Sequence, residues 1–168
     1  MIAFVLTELA AGLTLFAAVG HLLFAIDDLA VDAIYFLRCG WKQVPYGSEV
    51  ASKRCSGWMA VLVPAWNEAA VIAPMLRATL QRFDHPDYRI FVGYYRNDPA
   101  TQVAVRSVAD ERIFAVLVDA DGPTTKAHCL YCLYAALLSH EQTIKRPAKA
   151  VILHDAEDLV HPLELRLF

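Results

Sequence analysis

No glycine-rich phosphate cradle occurs in this chain. Neither G-x-G-x-x-G nor G-x-x-x-x-G-K-[ST] can be found among its 168 residues, which argues against the classical dinucleotide-binding and P-loop classes. Charge is also sparse. Only 20 % of residues are Asp, Glu, Lys or Arg, and the net charge is −3. There is no basic arm and no aromatic-basic stripe, so nucleic acid is not an expected partner. No basic side chain precedes Arg38. The N-terminus therefore lacks the basic n-region expected of a secretory signal. Internal repeats and low-complexity segments are missing too. Cysteine is limited to positions 39, 55, 129 and 132. Cys129 and Cys132 form a C-x-x-C, but a zinc site would want two more ligands at suitable spacing. They read better as small core residues of the apolar run from 127 to 138. All four are compatible with free thiols in a reducing compartment.

What the chain does have is apolar residues, at 57 % of the total, and they are unevenly spread. Residues 2–26, IAFVLTELAAGLTLFAAVGHLLFAI, carry one formal charge, Glu8, plus His21. About 20 apolar residues span a bilayer, so this stretch predicts a transmembrane helix; the alternative is a helix buried in the protein's own core. Glu8 is expected near the outer interface and His21 against a neighbouring helix. Arg38, Lys42, Lys53 and Arg54 all come after the span, which places the C-terminal side of the chain in the cytoplasm. Residues 27–38 alternate Leu29, Ile34 and Leu37 with Asp28 and Asp32. This predicts an amphipathic helix at the membrane interface, started by Asp27 or Asp28 and flanked by Tyr35 and Trp41. The organisation expected is thus 1–38 for membrane span and interfacial helix, 39–57 for a linker, and 58–168 for a folded domain.

From Met59 onward strands alternate with helices. Strands are expected at 59–63, 89–95, 114–118 and 150–154, and helices at 68–81, 99–109 and 124–140, with Pro74 interrupting the first helix. This order predicts an α/β fold with a mostly parallel sheet covered on both faces. In such sheets ligands bind at the carboxyl ends of the strands. A polar loop follows each strand here: PAWNE (64–68), RNDPAT (96–101), DADGPTTK (119–126) and DAED (155–158). The last one places three carboxylates, Asp155, Glu157 and Asp158, within four positions. Like charges that close repel. One reading is that Asp155 and Glu157, at i and i+2, hold a hard cation that also binds a diphosphate. The other is a solvated acidic turn in which Asp158 caps a helix starting near Pro162.

VPAWNE, then GPTTKA, then ILHDAED with Pro162 and LELRLF, resemble glycosyltransferase family 2 in order and spacing. VGYYRNDPATQ and GPTTKAHCL fit a membrane-bound subgroup of that family connected with phage adsorption. The resemblance covers residues 59–168. It implies a partial GT-A, Rossmann-like parallel sheet and an inverting transferase using a nucleotide diphosphate sugar, by preference a uridine diphosphate sugar. Pro64, Ala65, Trp66 and Glu68 would line the nucleobase and ribose pocket, with Trp66 in place of the usual tyrosine. Lys126 would approach the diphosphate. Asp155 and Glu157 would stand for the D-x-D motif and hold Mg²⁺ or Mn²⁺. The residues themselves also allow Trp66 as a cover for the sheet edge and Lys126 as a solvated first-turn residue. The acidic pair usual after the second strand is replaced by Tyr94 and Tyr95, for which Asp98 is the candidate substitute in nucleotide binding.

The resemblance further implies an acceptor-binding segment, an acidic general base and more transmembrane helices, none within these 168 residues, so the chain reads as a donor-binding half. Its implied partners are the donor, a cell-envelope or extracellular glycan acceptor, membrane lipid and an outer-membrane or envelope protein. The implied location is the bacterial inner membrane. Competing expectations are a catalytically incomplete membrane component of a surface-glycan or phage-receptor system, and a soluble nucleotide-binding protein.

Overall fold

A computed structural model of the chain describes residues 2–39, 47–52 and 54–168. They fall in two compact units, Met1–Val44 and Pro45–Phe168.

The first unit is one helix, α1 (Ile2–Cys39). It differs from the expectation of a span followed by a separate interfacial helix: Asp27 and Asp28 lie inside the helix and cap nothing. Isolated aspartates cost a helix interior only a fraction of a kcal/mol, and the flanking leucines and alanines carry the helix through. At 1.5 Å per residue α1 is roughly 57 Å long, while a bilayer's apolar core is about 30 Å thick. Its apolar side chains, among them Phe16, Phe24 and Leu37, are exposed. Residues 4–38 form a candidate membrane span by length and composition. Trp41, Lys42 and Lys53 lie outside the described residues.

The second unit opens with α2 (Gly47–Ser52), a short helix inside the stretch expected to be linker, whose Val50 is buried. Next come β1 (Met59–Pro64), α3 (Ile72–Arg82), β2 (Tyr88–Tyr95), α4 (Pro99–Arg106), β3 (Ile113–Val118), α5 (Lys126–Ile144) and β4 (Ala150–Leu153). A 3-10 turn, Glu164–Arg166, comes last. The strands form one sheet in the order β3-β2-β1-β4, and every pairing is parallel. This is the α/β arrangement with a leading apolar helix that the sequence predicts, and it is consistent with a partial GT-A-like fold. Pro74 does not split α3, because it falls in the first turn, where no intrahelical N–H is lost. The helix instead begins later than expected, at Ile72.

Strand alternation divides the core between two faces. Met59, Val61 and Val63 of β1 pack with Ile72, Met75 and Leu76 of α3. Ala60 and Leu62 turn the other way, toward Cys129, Leu133 and Leu137 of α5. On that second face the fit is close at Gly93 of β2, where an added Cβ would stand 2.5 Å from Cys129 Sγ.

The loop after β1 is held from below by the start of α4. Asp98 caps α4 by accepting the Thr101 N–H at 3.2 Å. Its other oxygen accepts the Asn67 N–H at 2.6 Å, and the fully buried Thr101 hydroxyl accepts the Glu68 N–H at 2.9 Å. Asn67 sits at φ 59°, a conformation uncommon outside glycine, and these bonds help fix it there. Burial alone would raise the Asp98 pKa. Hydrogen bonds from the Thr101 hydroxyl and from the Asn67 and Thr101 amides overcome that and hold it below the usual value.

Both contacts can be tested through stability. Gly93→Ala should cost about 1–3 kcal/mol by overpacking, and adding Cys129→Ala should recover part of the loss. Thermal unfolding of the single and double variants in detergent measures both, and additive losses would contradict the close contact. Asp98→Ala should cost about 0.5–2 kcal/mol at neutral pH, as for other helix caps. Because the folded-state pKa is depressed, that contribution is present above roughly pH 4 and is lost as pH falls through the folded value. The gap from wild type should therefore narrow in unfolding measured at pH 3.

Candidate functional site

All four strands end at one edge of the sheet, and the loops after them enclose an open cleft of about 260 Å³. One wall comes from β1 and its loop: Pro64, Ala65, Trp66 and Glu68. The floor and far wall are Tyr95 at the end of β2, Thr124 before α5, and Cys129 one turn into α5. The remaining side carries Lys126, Asp155, Ala156 and Glu157. Seven of the eight residues singled out from the sequence thus meet in one place. Asp98 is the exception: it does not line the cleft, and its carboxylate serves the backbone beneath the PAWNE loop.

The cleft has two chemically different halves. Around Trp66 the lining is neutral. The indole meets the Tyr95 ring edge-on at 5.1 Å between centroids, a favoured aromatic geometry. The ring also lies so close to Gly122 that an added Cβ would stand 2.2 Å from Trp66 Cζ3, so a larger residue there would displace the indole. Asn97 fixes the Gly122 segment with a two-way amide clamp, donating to the Gly122 carbonyl at 2.7 Å and accepting its N–H at 2.8 Å. The Tyr95 hydroxyl shares a 2.7 Å hydrogen bond with Thr124 Oγ1, which also lies 3.3 Å from His128 Nδ1. Burial pushes both the Tyr95 phenol and the Cys129 thiol above their ordinary pKa values. Cys129 is thus a protonated floor residue at neutral pH, and Cys132, one helical turn on, packs at the rim of the same core.

The other half is charged. Lys126 is the first residue of α5, set by the Thr125 cap whose hydroxyl accepts the His128 N–H. Its ammonium pairs with Asp155 Oδ1. Asp155 is joined to β4 through His154, a buried residue bonded to Glu164 at 2.7 Å. Asp158 departs from the expected role. Instead of capping a helix near Pro162, its carboxylate accepts the Asp155 N–H at 2.8 Å and closes the DAED turn. The segment beyond Pro162 forms only the 3-10 turn, which has no side-chain cap. Among the described residues, no group of three or more His, Cys, Asp or Glu is arranged to hold a metal; Asp155 and Glu157 share the cleft as two.

Sequence reasoning missed Thr101, Asn97 and Gly122, which position the wall, and Thr124 and Cys129, which line it. The D-x-x-T spacing of Asp98 and Thr101 was an available cap signal. The Asn97–Gly122 clamp joins residues 25 apart and left no local pattern.

Comparison with known proteins agrees with this geometry. The model of the family described as "Glycosyltransferase like family 2" matches residues 56–167. The chain is 36 % identical over 152 residues to bacteriophage adsorption protein B of Escherichia coli strain K12. Bacteriophage N4 adsorption protein B of Escherichia coli O157:H7 gives the same figures. Each alignment covers 85 % of this chain and 20 % of the relative, so the chain spans about one fifth of the curated relatives it matches. With more than half of its residues within the family model, and with that model's span enclosing the whole cleft, this chain belongs to glycosyltransferase-like family 2.

Proposed function

We propose that this chain is the donor-binding portion of a membrane-anchored, inverting glycosyltransferase. Its donor is a nucleotide diphosphate sugar, by preference a uridine diphosphate sugar, and its acceptor a cell-envelope or extracellular polysaccharide. The observation that carries this is the convergence of the PAWNE loop, Lys126, Asp155 and Glu157 in one cleft at the carboxyl edge of the sheet.

The two halves of the cleft suit the two halves of such a donor. Trp66, held edge-on by Tyr95 and backed by Gly122, offers an apolar face for the base. Lys126 offers a cation for the diphosphate, and the N-terminus of α5 adds its partial positive charge. The charged lining as a whole is nonetheless acidic, with Glu68, Asp155 and Glu157 against Lys126 alone. A diphosphate entering by itself would be repelled, and a divalent cation would restore the balance. Asp155 and Glu157 would supply hard oxygen donors suited to Mg²⁺ or Mn²⁺. When bound, such an ion supplies Lewis-acid stabilisation of the departing diphosphate. The protein's own part is to place the base against Trp66 and to direct the phosphates toward Lys126.

α1 would anchor the domain in the bacterial inner membrane. Arg38 and Arg54 come after the apolar span, which favours a cytoplasmic domain. A second reading, a catalytically incomplete membrane component of a surface-glycan or phage-receptor system acting with an envelope partner protein, is favoured by one feature. Tyr94 and Tyr95 end β2 where the family's acidic pair is expected, and Asp98 is committed to capping.

Calorimetric titration of uridine diphosphate with Mn²⁺ present tests the donor site. Asp155→Asn should abolish Mn²⁺-dependent binding and Glu157→Gln should weaken it strongly. Wild-type binding by Asp155→Asn would remove the support for this reading. Topology is tested separately. With the other three cysteines replaced by alanine, Cys55 should react with an impermeant maleimide only from the cytoplasmic face. Labelling of intact cells would reverse the orientation.

A further inference from the structure

We propose that the Lys126–Asp155 ion pair is a latch that makes divalent cation and diphosphate enter the cleft together and disfavours either one alone. The inference rests on the donor-binding reading above and concerns how that site fills.

Lys126 stands in the first turn of α5. A cation there opposes the helix dipole, and the carboxylate of Asp155 offsets it. Both side chains are half exposed, at 51 % each, so the contact lies in the cleft itself and can open without disturbing the core. The two partners are not equally free. The Asp155 main chain is tied by its N–H to Asp158 Oδ2, whereas Lys126 sits on a flexible four-carbon stem. The lysine, with the longer stem, has the greater reach when the pair opens. Glu157, two residues on, has no hydrogen-bond or ion-pair partner among the described residues.

The charges fix what each ligand meets. A divalent cation arriving alone finds Asp155 already neutralised and an ammonium within contact distance. A diphosphate arriving alone can recruit Lys126 only by stripping it from Asp155, which leaves Glu68, Asp155 and Glu157 bare around a polyanion. Arriving together, they exchange one ion pair for two, Lys126 with phosphate and Asp155 with the cation. Each ligand must then raise the affinity of the other by the same factor.

The test is titration of the full chain in detergent with Mn²⁺ alone, with uridine diphosphate alone, and with each in the presence of the other. Lys126→Met should bind Mn²⁺ alone about two- to fivefold more tightly than wild type, the range expected for releasing a half-exposed pair. The same variant should bind uridine diphosphate more weakly, and the factor by which each ligand strengthens the other should shrink. Arg96→Met is the control for the general field. Arg96 lies in the loop after β2, where it is 3.9 Å from Asp119, and its removal should leave the Mn²⁺ affinity unchanged. Equal gains in both variants, or no gain in Lys126→Met, would overturn the latch while leaving the donor site intact. If wild type binds no uridine diphosphate even with Mn²⁺, the donor-binding reading fails and the latch falls with it.

Discussion

The cleft depends first on the strands all running the same way. β1 pairs in parallel with both β2 and β4, and β2 with β3, so every strand delivers its carboxyl end to one edge. A rise of about 3.3 Å per residue makes even the four-residue β4 roughly 13 Å long. Reversing that strand would move Asp155 and Glu157 by that distance, to the far edge from Trp66 and Lys126. The catalytic chemistry expected of the family is in this sense a property of strand direction, and strand direction is secured by the crossover helices. Each of α3, α4 and α5 must return the chain across a face of the sheet before the next strand can start, and each does so by burying an apolar stripe.

Strand direction brings the loops together but does not fix their shape. That task falls to polar contacts one layer behind the lining. Asp98 and Thr101 bind the backbone amides of Asn67 and Glu68, and Asn97 clamps Gly122. The indole of Trp66 is confined between the products of these two devices. An aromatic face used for recognition is most effective when little rotamer freedom remains to be lost on binding, and here the confinement exists before any ligand arrives. The same logic explains why Asp98 is absent from the cleft. Each carboxylate oxygen of this buried residue accepts a backbone amide, and the side chain is committed to holding the loop from behind.

Much of this was legible in the sequence because it is local or periodic. Short apolar runs bounded by turn residues located β1 to β4 to within a residue or two, and Pro99 marked the start of α4, while α5 begins at Lys126, two residues after the expected start. The rule that parallel strands bind ligands at their carboxyl ends pointed to the right edge of the sheet, and the family resemblance named the residues that line the cleft there. Three features were not legible, each for a physical reason. Asp27 and Asp28 look like a cap, but a cap is needed only where the helix stops, and the exposed apolar residues on both sides let α1 continue. Asp158 looks like a cap for the next segment. Its carboxylate reaches back three residues to the Asp155 N–H, and local competition of this kind is decided by backbone geometry that composition does not encode. The Tyr95–Thr124 contact joins residues 29 apart, and only the sheet brings them together.

The placement of Lys126 is the least expected feature on local grounds and the most informative about the site. Helix N-termini favour acidic residues and disfavour lysine. α5 has no acidic residue in its first turn, and instead begins with a base. The cost is modest at a half-exposed position, and pairing with Asp155 lessens it. A lysine one turn further along α5 would avoid the dipole, but it would point away from the strand ends, because successive turns climb about 5.4 Å along the axis. Lys126, in the first turn, is the α5 residue that pairs with Asp155. The same position that is unfavourable for the helix is the one from which an ammonium reaches both the carboxylate and the open cleft. Local stability and site geometry conflict at this residue, and the geometry has prevailed.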